Sequence, residues 1–394
     1  MRGLLSEVRI LDLTRMLAGP YGSMLLGDLG AEVIKIEPPT GDEIRRMGPP
    51  FIRDQSAYFM SINRNKKSLT LDLKSEKGRR LFYRLVGVSD VVLDNFRPGV
   101  LEKLGCNYEV VRDYNPRIIS CSITSFGEEG PMKDLPAFDL IIQAFSGAMG
   151  ITGEPDRPPV RMGIPLGDLA GSIFAAYAIS AGLFRRERTG EGCKISLSLL
   201  DCLVSLLTYV AGYYFADGKV PQPQGSRHMS CVPYGAYRTK DMYIVVGVFT
   251  ERFWENFCKV INRPDLVDDP RFNSNEGRVR NRQVLEPLLE EIFARRSAEE
   301  WLNELYAQGV PAAPVNTLER VFLMPQLLMR GMVVELDHPV AGLTKGLGCP
   351  IKVNGVQPHY LASPLLGQHN LEVLGGLLGM SNEQIDRLKE EGVV

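Results

Sequence analysis

Asp168 stands in Pro165-Leu166-Gly167-Asp168-Leu169-Ala170-Gly171-Ser172, ahead of a run of small and apolar residues over 173–184 that reads as a buried helix. Two kinds of chemistry suit a carboxylate there. As an N-cap it accepts hydrogen bonds from the first free N–H groups of the helix. As a nucleophile it is held anionic by the helix dipole, and a glycine on either side leaves room for a bulky substrate. The local pattern admits both. Other reactive side chains are arranged less suggestively. The seven cysteines, at 106, 121, 193, 202, 231, 258 and 349, include no C-x-x-C pair and are odd in number, which argues against a zinc site or a disulfide framework. Reduced thiols of a cytoplasmic protein are the expectation. The four histidines, at 228, 338, 359 and 369, form no H-E-x-x-H, so no metal is expected.

The elements that must position Asp168 read as a βα alternation. Val8-Arg9-Ile10-Leu11-Asp12-Leu13 predicts a strand, Ala18-Gly19-Pro20 opens a helix that Gly27 and Gly30 close, and 32–37 is a second strand. This is a βαβ layout, and Glu37 at its end invites a dinucleotide reading. The glycines at 19, 22, 27 and 30 do not match G-x-G-x-x-G, and we discount it. After an irregular stretch over 41–61, further strands are expected at 69–73, 90–94, 117–124 and 193–197, with helices over 75–87 and 138–149. Together they predict an α/β fold with a doubly wound, mainly parallel, Rossmann-like sheet. The charges of 185–192 read as an exposed turn. The longest apolar run, 199–216, contains Asp201, Tyr213 and Tyr214, and predicts a core or interface helix rather than a membrane span.

At 394 residues the chain exceeds one ordinary core. A Pro-, Gly- and Ser-rich stretch over 217–232 marks a change. Beyond it come a hairpin, 234–238 with 242–248, and helices near 250–261, 279–295 and 297–308, which read as a smaller α+β domain. The expected division is 1–216, the N-terminal part of a large domain; 217–330, linkers and small domain; and 331–394, a return to the large one. Apolar content of 44%, charged content of 23% and a net charge of -2 are those of a folded protein with no expected nucleic-acid or membrane partner. The first residues lead into a strand and show no signal peptide.

Several stretches carry a resemblance. They are Leu11-Asp12-Leu13-Thr14 with Ala18-Gly19-Pro20, and Asp28-Leu29-Gly30-Ala31-Glu32-Val33-Ile34-Lys35-Ile36-Glu37-Pro38. Asn63-Arg64-Asn65-Lys66-Lys67-Ser68, Asn95-Phe96-Arg97-Pro98-Gly99, Gly167-Asp168 and Pro233-Tyr234-Gly235 follow in order. Over nearly its full length the chain resembles the class III CoA-transferases, the CaiB/BaiF family of formyl-CoA:oxalate and carnitine CoA-transferases. The resemblance implies two domains, an interlocked homodimer, and Asp168 as covalent nucleophile. Its carboxylate would attack an acyl-CoA thioester, give a mixed anhydride and then an aspartyl-CoA thioester, and let an acceptor acid exchange in. No cofactor is implied beyond the coenzyme A thioester itself, which is substrate.

The resemblance places CoA contacts at Arg15, Met16, Leu17, Leu71, Lys74, Asn95, Phe96 and Lys103. Arg97, with Lys66, Lys67 and Lys74, supplies cations suited to phosphate near strand ends and helix starts, although each alone reads as a solvated charge. Pro38 stands where some members carry an arginine, for which Arg45 or Arg46 is the substitute. Only Gly225-Ser226-Arg227-His228-Met229-Ser230 stands where formyl-CoA:oxalate enzymes have a glycine-rich loop, which argues against oxalate as acceptor. Arg227, His228, Phe138 and Asp139 are the candidates for holding an acceptor acid. The related racemases place a catalytic histidine before an aspartate where this chain has Phe138-Asp139. Phe138 weakens the racemase branch. The alternatives to the transferase are a 2-methylacyl-CoA racemase or epimerase, or a non-catalytic CoA-binding protein, against which an intact Gly167-Asp168 argues.

Overall fold

The branched runs of the N-terminal half assemble into one sheet. The computed structural model describes residues 3–394 and places β1 (Arg9–Asp12), β2 (Glu32–Glu37), β3 (Lys66–Thr70), β4 (Val91–Asp94), β5 (Ile119–Thr124) and β6 (Cys193–Ser198) in the order β3-β2-β1-β4-β5-β6. Every neighbouring pair is parallel. Strands buried on both faces can be apolar throughout, and Ile10, Leu11, Val92, Leu93, Ile119 and Cys121 are fully buried. The order reverses between β1 and β4. In a doubly wound sheet the crevice for a ligand opens at that reversal, outside the carboxyl ends of the strands.

Helices cover both faces. On one, α1 (Ala18–Asp28) and the long helix Leu166–Thr189 pack Ala18, Leu26, Ala175, Ile179 and Leu183 onto Ile10, Val91, Ile119 and Ile123. Their axes come close because Gly22 has no side chain: a Cβ there would stand 3.0 Å from the Ser172 carbonyl oxygen. On the other face α2 (Glu76–Val86), capped by Ser75, contributes Leu81, Phe82 and Leu85. The C-terminal helices Asn370–Leu378 and Asn382–Glu390 join it with Val373, Leu374, Ile385 and Leu388.

Three local expectations are corrected. β3 begins at Lys66 rather than 69, because the lysine ammonium is neutralised inside the sheet by Asp12. The Leu166–Thr189 helix runs through the expected turn, and Arg186 is not solvated but buried against Asp90 at 2.8 Å. The run 199–216 is two helices, Leu199–Ser205 and Thr208–Asp217, bent by 72° around a Thr208 of φ 42°.

The sheet, its helices and the hairpin Val333–His338 with Gly342–Leu347 form one compact unit: the chain up to Ala148, Arg161–Ala216 and Gln326–Val394. The second unit is Met149–Val160 with Asp217–Pro325. It holds the antiparallel strands Tyr234–Arg238, Tyr243–Gly247 and Ala312–Pro314 around a core of Trp254, Phe257, Phe293 and Trp301. The insertion of Met149–Val160 was not read in the sequence. Its anchor is a backbone hydrogen bond of 2.7 Å from Gly225 to the Gly153 carbonyl, in a loop with no helical or strand period.

Candidate active site

The loops that leave β1 and β4 meet at the reversal. Arg15 N–H donates to the Asn95 side-chain oxygen at 2.8 Å, and the Asn95 amide donates back to the Arg15 carbonyl at 2.8 Å. This reciprocal pair of hydrogen bonds precedes Met16, which is held in the left-handed region, φ 62°, where a non-glycine residue is strained. The Arg15 guanidinium lies 5.2 Å above the Phe96 ring. Beside this junction is a cavity of about 210 Å³ lined by Met16, Tyr58, Asn95, Phe96, Arg97, Lys133, Phe138 and Asp168. Candidates far apart in sequence therefore converge: Met16, Asn95, Phe96, Arg97, Phe138 and Asp168 share one space.

Asp168 occupies the first turn of the helix Leu166–Thr189, henceforth α4, with α3 being Asp139–Phe145. It is not the cap. Pro165 is the N-cap residue and has no side-chain oxygen; the capping acceptor comes from α3 instead. Asp139 Oδ1 accepts from Gly167 N–H at 2.8 Å and from Asp168 N–H at 3.2 Å, while its Oδ2 accepts from Gln143 at 2.6 Å. A borrowed carboxylate thus satisfies the orphan donors. The Asp168 side chain is left without that duty, and no described residue donates a hydrogen bond to it. Burial pushes its carboxyl up to about 7, and the Asp139 charge adds to the effect. The expectation that the helix dipole holds it anionic is corrected: desolvation and a like charge outweigh a dipole whose first N–H groups are already bound.

Other expected contacts fall outside the cavity. Leu71 is sealed in the core among Leu69, Phe82 and Leu374, and its side chain does not line the cavity. Leu17 is buried with Ile44, Phe59 and Ile62 and supports the loop from beneath. Lys74 and Lys103 are exposed and do not line this cavity. Lys66 is not a solvated cation but a buried one, 3.0 Å from Asp12. Lys67 pairs with Glu32 and Glu372. Arg45 does not stand free for a phosphate: it grips Glu37 at 2.6 Å and lies 3.8 Å over Phe59. Arg46 donates to the Thr40 carbonyl. In the second unit Arg227 is engaged by Glu286 at 2.5 Å and by Glu290, and His228 stacks edge-on to Tyr234 and Phe249.

Sequence reasoning missed Tyr58 and Lys133. Tyr58 lies in an irregular stretch that carries no periodic signal, on the short helix Ala57–Ile62. Burial, and then the Asp168 charge, push its hydroxyl up to about 12, so it stays protonated beside the carboxylate. Ser172 was also missed. Fully buried, its hydroxyl stands 2.6 Å from the Ala18 carbonyl and 2.7 Å from that of Asp168, which ties the first turn of α4 to α1.

The chain is similar to known proteins over nearly its whole length. The sequence profile of CoA-transferase family III matches residues 5–370. The chain belongs to CoA-transferase family III. A CAIB/BAIF family protein from Brucella suis has the same fold, with a TM-score of 0.85 and 37% identity over 96% of this chain and all of that one. The succinyl-CoA:glutarate CoA-transferase of Mus musculus is 42% identical over 99% of this chain and 90% of its own length. The acetyl-CoA:oxalate CoA-transferase of Acetobacter aceti is 38% identical over 91% of each. The chain is an enzyme, a class III CoA-transferase acting between an acyl-CoA and a carboxylic acid.

Proposed function

We propose that CoA transfer proceeds through covalent intermediates on Asp168. An Asp168 Oδ attacks the donor thioester carbonyl, and the C–S bond breaks to release CoA thiolate and leave a mixed anhydride. The thiolate then attacks the aspartyl carbonyl, freeing the donor acid and forming an aspartyl-CoA thioester. The acceptor carboxylate attacks that carbonyl and expels the thiolate. The thiolate finally attacks the acceptor's acyl carbon, restoring Asp168 and releasing the new acyl-CoA. Charge balances at every step, and the reaction consumes nothing beyond its two substrates. Each tetrahedral intermediate needs a hydrogen-bond donor for its oxyanion. The Gly167 and Asp168 N–H groups are committed to Asp139, so Tyr58, protonated and lining the same cavity, takes that role.

The observation that carries the reading is a half-buried carboxylate, with no hydrogen-bond donor among the described residues, in the crevice that the strand order itself creates. Met16, Asn95, Phe96 and Arg97 are the proposed CoA contacts, with Arg15 holding the loop. A dicarboxylic acceptor and a donor such as succinyl-CoA belong to the same reading. The mouse relative is named for succinyl-CoA and glutarate, and Arg97 and Lys133 supply positive charge for a second carboxylate. We propose that the enzyme works as an interlocked homodimer in the cytoplasm. The exposed Tyr177, Phe184 and Phe215 of the first unit are apolar surface that a partner copy would cover, and unpaired cysteines suit a reducing compartment. The test is chemical trapping. Hydroxylamine added with an acyl-CoA donor should convert Asp168 to a hydroxamate on its tryptic peptide, and trapping at Asp139 instead would defeat the assignment. A panel of acyl-CoA donors against glutarate, oxalate and monocarboxylic acids, read by mass spectrometry, decides the substrates.

A further inference from the structure

We propose that Asp12, Lys35, Asp42 and Lys66 are positioning residues, a buried charge cluster that holds residues 14–17 in shape beside the reactive cavity. All four are at most 3% exposed. Asp12 ends β1, Lys35 is central in β2, Lys66 opens β3, and Asp42 lies on the turn after β2. Lys66 Nζ lies 3.0 Å from Asp12 Oδ2 and donates to the Pro20 carbonyl and the Asn63 side-chain oxygen, each at 2.9 Å. Lys35 Nζ lies 2.8 Å from Asp42 Oδ2. That oxygen has no aligned hydrogen-bond donor among the described residues, so the contact is one of charge.

Stability does not explain the cluster. Buried ion pairs are often replaceable by well-packed apolar side chains without loss of stability. What apolar side chains cannot do is satisfy the backbone of the loop. Thr14 is 1% exposed and lies two residues beyond the end of β1. Its N–H and hydroxyl donate to Asp12 Oδ1, at 2.9 and 2.5 Å, and its carbonyl accepts from Lys35 at 2.8 Å. All three polar groups of Thr14 are thus held by the cluster. The next residues are Arg15, locked to Asn95, and Met16, strained at the cavity wall. A buried backbone group must be paired, and here the pairing fixes a loop that would otherwise have to be ordered by the substrate. The cluster also accounts for residues that carried the family resemblance without touching the cavity: Asp12, Thr14, Lys35, Asn63 and Lys66.

The inference rests on the cavity being the acyl-CoA site, and the experiment separates the two. Lys35→Met leaves Asp42 buried without its counter-charge, and the protein should melt lower. Lys35→Met with Asp42→Asn removes both charges, keeps the oxygen that caps Ile44, and should restore melting. The Thr14 carbonyl remains unheld in that double variant. We expect amide exchange of residues 14–17 to quicken and KM for the acyl-CoA to rise roughly tenfold, with kcat nearly unchanged. Thr14→Val, which leaves all four charges in place, should raise the same KM if the double variant does not fold. Unchanged amide exchange in the restored double variant, or in Thr14→Val, overturns the inference. Quickened exchange with an unchanged KM overturns the assignment of the cavity on which it stands.

Discussion

Replacing Asp168 with Asn should abolish transfer and stabilise the protein at the same time, in a pH-dependent way. The amide keeps the side chain's shape, and the helix cap is untouched because Asp139 supplies it. In the folded chain burial and the Asp139 charge raise the Asp168 carboxyl from 3.8 to about 7. A raised value means that the folded state binds this proton more tightly than the unfolded one. The favourable contribution is therefore complete below the unfolded value near 4 and is lost as pH rises towards 7. At about 1.4 kcal/mol per factor of ten, the loss is about 4 kcal/mol at most, and water in the open cavity brings it nearer 2. Asn does not titrate. The variant and the wild type should melt together near pH 4, and the variant should melt several degrees higher at pH 8. Circular dichroism melts at matched scan rate over pH 4–8, beside a transfer assay on the same samples, measure both effects. Activity should fall by about three orders of magnitude or more. Parallel melting curves across the whole range would refute the electrostatic argument. A folded Asn variant with near-normal transfer would refute the nucleophile.

Wild-type acylation, followed as hydroxamate formation, should rise with pH through about 7, because only the ionised carboxylate attacks; a flat profile from pH 5 to 8 would contradict it. Asp139→Asn keeps an oxygen for the Gly167 and Asp168 N–H groups but removes the charge, so the acidic limb of that profile should move to lower pH with a loss of under about 1 kcal/mol in stability. An interlocked dimer should not dissociate on dilution, so sedimentation that finds a folded, active monomer at nanomolar concentration would rule it out. A chiral 2-methylacyl-CoA incubated with the enzyme in deuterium oxide should take up no label at C2, since Phe138 replaces one of the two bases that racemisation requires.

The strands were legible along the chain because each is a local run of branched residues set between turns; their order in the sheet came only from the structure. The position of Asp168 at the head of a buried helix was legible for the same reason: small and apolar residues with a glycine at the entrance have few other uses. From there the parallel sheet followed, because a βα alternation has few ways to bury both faces. The state of Asp168 was not legible. Its acidity depends on the desolvation that packing imposes and on Asp139, which does not stand near it in the chain. Whether a lysine near a strand end meets water, phosphate or a buried acid is equally a tertiary matter. Lys66 looked solvated because its partner Asp12 lies on another strand, brought within 3.0 Å only when β1, β2 and β3 align. Arg45 looked free although its partner is only eight residues away, because the turn that folds it back onto Glu37 at the end of β2 has no periodic signal. Periodicity reports which face of an element is apolar. Which charge meets which is decided where elements distant in sequence pack together, since Coulomb energy depends on separation in space and on how much water packing has removed.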